Sequence, residues 1–94
     1  MQYTVELSRR AQRELAKLQM EDFLRVSNVI KGLGDNPRPK GVKKIRGSIH
    51  RIRAGDWRVI YAVFDKDRLV IIGKVARRSE DTYDRVGEGV QKPL

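Results

Sequence analysis

The sequence has no cysteine and a single histidine, His50. Without thiols there is no disulfide framework, no zinc–thiolate site and no cysteine nucleophile. One imidazole is too few for a multi-histidine metal centre. No stretch approaches the roughly 18 consecutive apolar residues of a membrane-spanning helix. The first residues show no basic segment followed by a long apolar one, so no secretory signal is expected. Acids are scarce, with 12 Asp and Glu against 21 Lys and Arg. At 94 residues the chain has room for one domain and a small core. Its 39% apolar content is too high for a purely disordered tail. The expectation is a small, soluble, basic domain of the cytoplasm that uses no cofactor.

The net charge of +9 is concentrated. Residues 37–58 hold eight basic side chains against one acid, Asp56, whereas residues 1–36 are nearly balanced and residues 79–94 are slightly acidic. Solubility alone is served by scattered charge. A dense block costs self-repulsion and points to a polyanionic partner rather than to a merely solvated face.

Hydrophobic periodicity gives the elements. Residues 2–7 alternate and carry β-formers, as a first strand does. Ser8 is placed to cap a helix whose apolar stripe is Ala11, Leu15 and Leu18. Glu21 and Asp22 suit the start of a second helix with the stripe Phe23, Val26, Ile30 and Leu33, and Gly34 is read as its stop. Pro37 and Pro39 mark a loop. From Val42 onward the pattern is β: an arm over 42–46 and strands over 49–54, 57–64 and 68–76. Gly55-Asp56 and Lys66-Asp67 are the expected turn centres. The last two strands are apolar on both faces, so they belong at the middle of a sheet. The helices cover one face, and the C-terminal segment is expected over part of the other. Residues 78–86 are read as a short helix or loop, and residues 1–86 as a single domain followed by a frayed tail over 87–94.

The turn at Gly55-Asp56 sets a register. It places Arg53 opposite Arg58 and Arg51 opposite Ile60, on one face of the sheet. Like charges so placed destabilise a sheet unless an anion compensates. If Lys66-Asp67 centres the next turn, Arg58 opposes Val75 and Arg77 lies on the same face, so four arginines converge at one end. Tyr83 follows six residues later and can fold over that end. Arginine forks bind phosphate in bidentate fashion and stay ionised. The cluster contains no Asp or Glu to hold Mg²⁺, so phosphodiester cleavage there would be metal-free. The usual metal-free route uses the 2′-OH of RNA as nucleophile. His50 falls on the face opposite Arg51 and is read as structural. Trp57 and Tyr61 share that face and are read as core, and Tyr3 as packing.

The string from Ile45-Arg46-Gly47 through Arg51-Ile52-Arg53-Ala54-Gly55-Asp56-Trp57-Arg58-Val59-Ile60-Tyr61, with the later Val75-Ala76-Arg77-Arg78 and Tyr83, resembles the RelE/ParE superfamily of type II toxins. The resemblance covers roughly residues 3–86. It implies an α+β fold of the microbial-ribonuclease-like kind, with an N-terminal strand and a helical hairpin packed on a four-stranded, mostly antiparallel, twisted sheet. It implies an antitoxin encoded nearby, whose acidic segment folds on the toxin, and a free toxin that is monomeric. In the RelE branch it also implies the ribosome as partner, entry into the A site and cleavage of mRNA by 2′-OH attack. By position, Arg51 and Arg53 match the basic pair of the catalytic strand, and Arg58 the arginine that braces the scissile phosphate. Arg77 matches the one that protonates the leaving 5′-O, and Tyr83 the tyrosine that stacks on the base or takes the 2′-OH proton. Lys43, Lys44, Arg46 and Arg78 are placed to contact RNA, including ribosomal RNA.

One departure bears on mechanism. Some relatives carry lysines where this chain has Arg51 and Arg53, and a lysine can lose its proton whereas an arginine effectively cannot. The base role therefore falls to Tyr83. Two further readings stay open: a ParE-like toxin that poisons DNA gyrase without nuclease chemistry, and a non-toxic relative that only binds its antitoxin or nucleic acid.

Overall fold

The structure is a computed structural model and describes residues 2–77. Strand β1 (Thr4–Leu7) leads through Ser8 into helix α1 (Arg9–Ala16), followed by α2 (Met20–Asp35). Four strands complete the described chain: β2 (Lys43–Arg46), β3 (Ile49–Ala54), β4 (Trp57–Phe64) and β5 (Leu69–Arg77). The sheet has five strands in the order β1-β5-β4-β3-β2. The pairs from β2 to β5 are antiparallel, and β1 adds to β5 in parallel, as a fifth strand beside the expected four. The parallel step follows from the crossover of the two helices between β1 and the rest of the sheet.

Local chemistry accounts for the helices. The Ser8 hydroxyl accepts the Ala11 N–H at 3.0 Å and caps α1. Glu21 and Asp22 occupy the first turn of α2, where the helix dipole favours acids. Ala11, Val26, Ile30 and Leu33 turn from the helices onto the sheet, where they meet Val59, Tyr61, Val63, Val70, Ile72 and Val75. Gly34 does not stop α2, which runs on to Asp35. It is a close-approach residue: a Cβ there would stand 3.3 Å from the Tyr3 carbonyl oxygen and from a Val5 methyl, and the Gly34 carbonyl accepts the Tyr3 N–H at 2.7 Å. Among the described residues, no helix is long and apolar enough to cross a membrane.

Among the described residues the sheet has a helix-covered face and an open one. On the open face lie Arg51 and Arg53 of β3 and Arg58, Ile60, Ala62 and Phe64 of β4. Ile49 and Phe64 keep more than a third of their surface on that face. The C-terminal segment expected to cover it, and the tail expected beyond residue 86, lie outside the described residues.

Candidate nucleic-acid interface

The turn at Gly55-Asp56 forms as its sequence requires. Gly55 adopts φ +67°, and a side chain there would also collide with Arg25, whose Cδ lies 2.6 Å from the position of a Cβ. The register that follows pairs Ala54 with Trp57, Arg53 with Arg58 and Arg51 with Ile60. Three guanidinium groups thus share one end of the open face. On the far side of β3, Lys43 pairs with Arg51 and Arg46 with Ile49, so both join that face, whereas Lys44 pairs with His50 and belongs to the other. All four residues of β2 are exposed, and their charge also keeps this edge from pairing with another chain.

Beside the arginines lies a cleft of about 360 Å³ lined by Lys40, Gly41, Lys43, Arg51, Ile52, Arg53 and Arg58. Among the described residues no carboxylate lines it. Lys40 was not among the residues singled out from sequence, although it sits inside the basic block. Its loop is pinned to β4 and to the turn that follows it. The Tyr61 hydroxyl donates to the Pro37 carbonyl at 2.7 Å, and the Arg38 guanidinium donates two hydrogen bonds to Asp65, at 3.1 and 2.9 Å. The Tyr3 hydroxyl donates to the same carboxylate. With donors from Arg38 and Tyr3, the Asp65 carboxyl is held down at about 2. Burial pushes the Tyr61 phenol up to about 12, so it is a fixed donor at physiological pH. Tyr3 therefore belongs to this clamp as well as to the packing.

His50 is structural, as its place in the alternation indicates. It is 4% exposed, stacks on Tyr61 with ring centroids 5.6 Å apart, and donates its Nδ1–H to the Ser48 carbonyl at 2.8 Å. A carbonyl only accepts, which fixes the tautomer.

The end of β5 departs from expectation. The turn is centred on Lys66-Asp67, and the predicted register holds from Phe64–Leu69 to Tyr61–Ile72. A bulge then intervenes: Ile60 pairs with Lys74, Arg58 with Ala76 and Trp57 with Arg77. The expected Arg58–Val75 pairing is lost, and every later side chain of β5 changes face. Arg77 is therefore not on the face of Arg58. It stands over the Trp57 ring, its Cζ 5.5 Å from the centroid, on the opposite side of the sheet. The four expected arginines reduce to three at the cleft, and Lys74 takes a place on the open face instead. A glycine within a strand pattern, Gly73, is the sequence signal for such a bulge. Among the described residues the buried Trp57 Nε1–H has no hydrogen-bond acceptor. Arg78 and Tyr83, the remaining residues of the expected site, lie outside the described residues.

A family model described as "ParE toxin of type II toxin-antitoxin system, parDE" matches residues 5–82. The chain belongs to the RelE/ParE family of type II toxins. A Methanocaldococcus jannaschii protein assigned as toxin RelE1 is 35% identical over 83 residues, covering 83% of this chain and 92% of the relative. The toxin in the crystal structure of the archaeal RelE–RelB complex of Pyrococcus horikoshii superposes with a TM-score of 0.78 at 30% identity, over 85% of this chain and 99% of that one. The Mycobacterium tuberculosis toxin–antitoxin complex RelBE2 gives 0.73 at 27% identity, over 83% and 100%. These relatives place the chain with the RelE branch, and the α+β architecture is theirs.

Proposed function

We propose that this RelE-family toxin is a ribosome-dependent, metal-free mRNA endonuclease. The observation that carries the reading is the direct pairing of Arg53 with Arg58, beside Arg51 and Lys43, along a cleft whose described lining holds five cations. Such a surface favours a phosphate whose negative charge grows in the transition state. The nucleophile is the RNA's own 2′-OH. It attacks the adjacent phosphorus as its proton leaves, the bond to the 5′-oxygen breaks, and a 2′,3′-cyclic phosphate and a 5′-OH result. Arg51, Arg53 and Arg58 hold the non-bridging oxygens, and Lys40, Lys43 and Arg46 meet the flanking RNA backbone. In this reading Tyr83, as its phenolate, takes the 2′-OH proton and becomes the neutral phenol. Protonation of the leaving oxygen by Arg77 requires its side chain to swing round the end of the sheet from its place over Trp57. The toxin's partner is an antitoxin with an acidic segment that folds over the basic face. The complexes formed by the P. horikoshii and M. tuberculosis relatives support that pairing.

Induced expression is expected to stop translation, with new 5′ ends mapped by primer extension only in ribosome-bound message. Arg58→Ala should lower the cleavage rate by about 100-fold or more, the loss typical of one transition-state charge donor, without weakening the antitoxin complex beyond its own contact. An Arg58→Ala toxin that cuts at the wild-type rate would refute the site. The match to the ParE family model sustains a second reading, in which the toxin poisons DNA gyrase by binding. That reading predicts filamentation and DNA-damage signalling with message left intact.

A further inference from the structure

The bulge in β5 turns a lysine toward the cleft side of the sheet. With unbroken alternation after Ile72, Lys74 would point under α1 into the core. With the bulge it pairs with Ile60, in the same cross-strand row as Arg51 and Lys43. Because Arg58 pairs with Ala76, Lys74 is also the diagonal neighbour of Arg58, about 7–8 Å away along the sheet. Its stem is half-buried against that surface.

The distortion is braced. The Ser8 N–H donates to the Ile72 carbonyl at 2.9 Å and the Ser8 hydroxyl to the Gly73 carbonyl at 3.1 Å. Glu14 of α1 accepts the Val75 N–H at 2.7 Å, and the Arg10 guanidinium holds its other carboxylate oxygen at 3.0 Å. The backbone groups freed by the end of β1 pairing are therefore satisfied from α1. Glycine is not what the geometry demands, since a Cβ at residue 73 would meet only the Ile60 carbonyl oxygen at an ordinary 3.7 Å. The brace from α1 sets the bulge, and with it the face that Lys74 occupies.

We propose that Lys74 binds the phosphate adjacent to the scissile one, so that the open face grips two consecutive phosphates of a single RNA strand. The first sits in the cleft at Arg51, Arg53 and Arg58, and the second lies across Ile60 at Lys74. The diagonal between Arg58 and Lys74 is of the size that separates neighbouring phosphates on an extended strand. This inference rests on the ribonuclease reading above and adds to it a register along the message.

The test is single-turnover cleavage of a defined message on ribosomes as toxin concentration is varied. Lys74→Ala is expected to raise the half-saturating concentration about five- to tenfold, the effect falling there rather than on the rate at saturation, and Lys74→Arg is expected to restore it. The slope of log affinity against log salt should fall by about 0.7, one single-strand phosphate contact. A message carrying a neutral methylphosphonate at one of the two phosphates flanking the scissile position should weaken wild-type binding by a similar factor and weaken Lys74→Ala no further. An unchanged half-saturation for Lys74→Ala, or additive effects of the variant and both modified messages, overturns the proposal while leaving the nuclease in place. A Lys74→Ala toxin that binds message normally but loses its antitoxin assigns the lysine to the protein partner and overturns it equally. A wild-type toxin that leaves every message intact removes the ribonuclease reading itself, a different result from either.

Discussion

Asp65 shows how much one exposed side chain can organise. Its carboxylate takes two hydrogen bonds from Arg38 and one from Tyr3, tying the β4–β5 turn to the loop that carries Lys40 and to the start of the chain. Those donors favour the ionised form and lower its pKa from 3.8 to about 2. The folded protein therefore binds this proton less readily than the unfolded chain. The resulting stabilisation is complete above about pH 4 and is lost as the pH falls through about 2. Thermal unfolding measured from pH 6 to pH 2 should show wild type more stable than Asp65→Asn by a constant margin that shrinks below about pH 4. A margin independent of pH over that interval would show that the carboxylate is not held by charge.

The end of β5 is the element whose placement matters most to the site. Up to Ile72 its outer edge pairs with β1, and beyond that point α1 supplies the partners. Glu14 is thus a helix residue that acts as part of the sheet. Glu14→Ala leaves the Val75 N–H without its acceptor, a loss of about 1–3 kcal/mol for a largely buried donor. Glu14→Gln keeps an oxygen in the same place and sacrifices only the exposed ion pair to Arg10, so it should stay within about 0.5 kcal/mol of wild type. Denaturant titration measures both, and amide exchange at Val75 should accelerate in the alanine variant alone. Equal stabilities for the two variants would mean that the bulge needs no brace. At the opposite edge β2 is short and wholly exposed, and its charges serve edge protection as well as the cleft.

Over the domain, stability and site are divided between the two faces of one sheet. The helices bury Leu33 and Val26 completely against the covered face, while the arginines stand on the other. Leu33→Ala should cost about 3 kcal/mol, a large share of the roughly 5–15 kcal/mol that holds a small domain together. Arg53→Ala, on the open face, should unfold within about 0.5 kcal/mol of wild type, since it removes a like-charge pairing and no core contact. Urea unfolding of the two variants checks the division. A large loss of stability in Arg53→Ala would show that the cation cluster is structural after all.

The paired arginines of the β3–β4 hairpin were legible because a two-residue turn is local. Gly55 tolerates the left-handed backbone, the strands on either side alternate, and the register of Arg51, Arg53 and Arg58 follows without reference to the rest of the chain. Helix starts, core stripes and the basic block were legible for the same reason: each depends on neighbours within a few residues. Gly34 misled because its role is a contact with Tyr3 and Val5, some thirty positions away. Strand alternation alone puts Arg77 on the face of Arg58 and Lys74 in the core, because the bulge between them and the turn is held by Ser8 and Glu14, more than sixty positions upstream. Periodicity can extend a register along a strand but cannot register a partner that arrives from another part of the chain. Which cation of β5 joins the open face is therefore settled by the packing of α1 against the sheet edge.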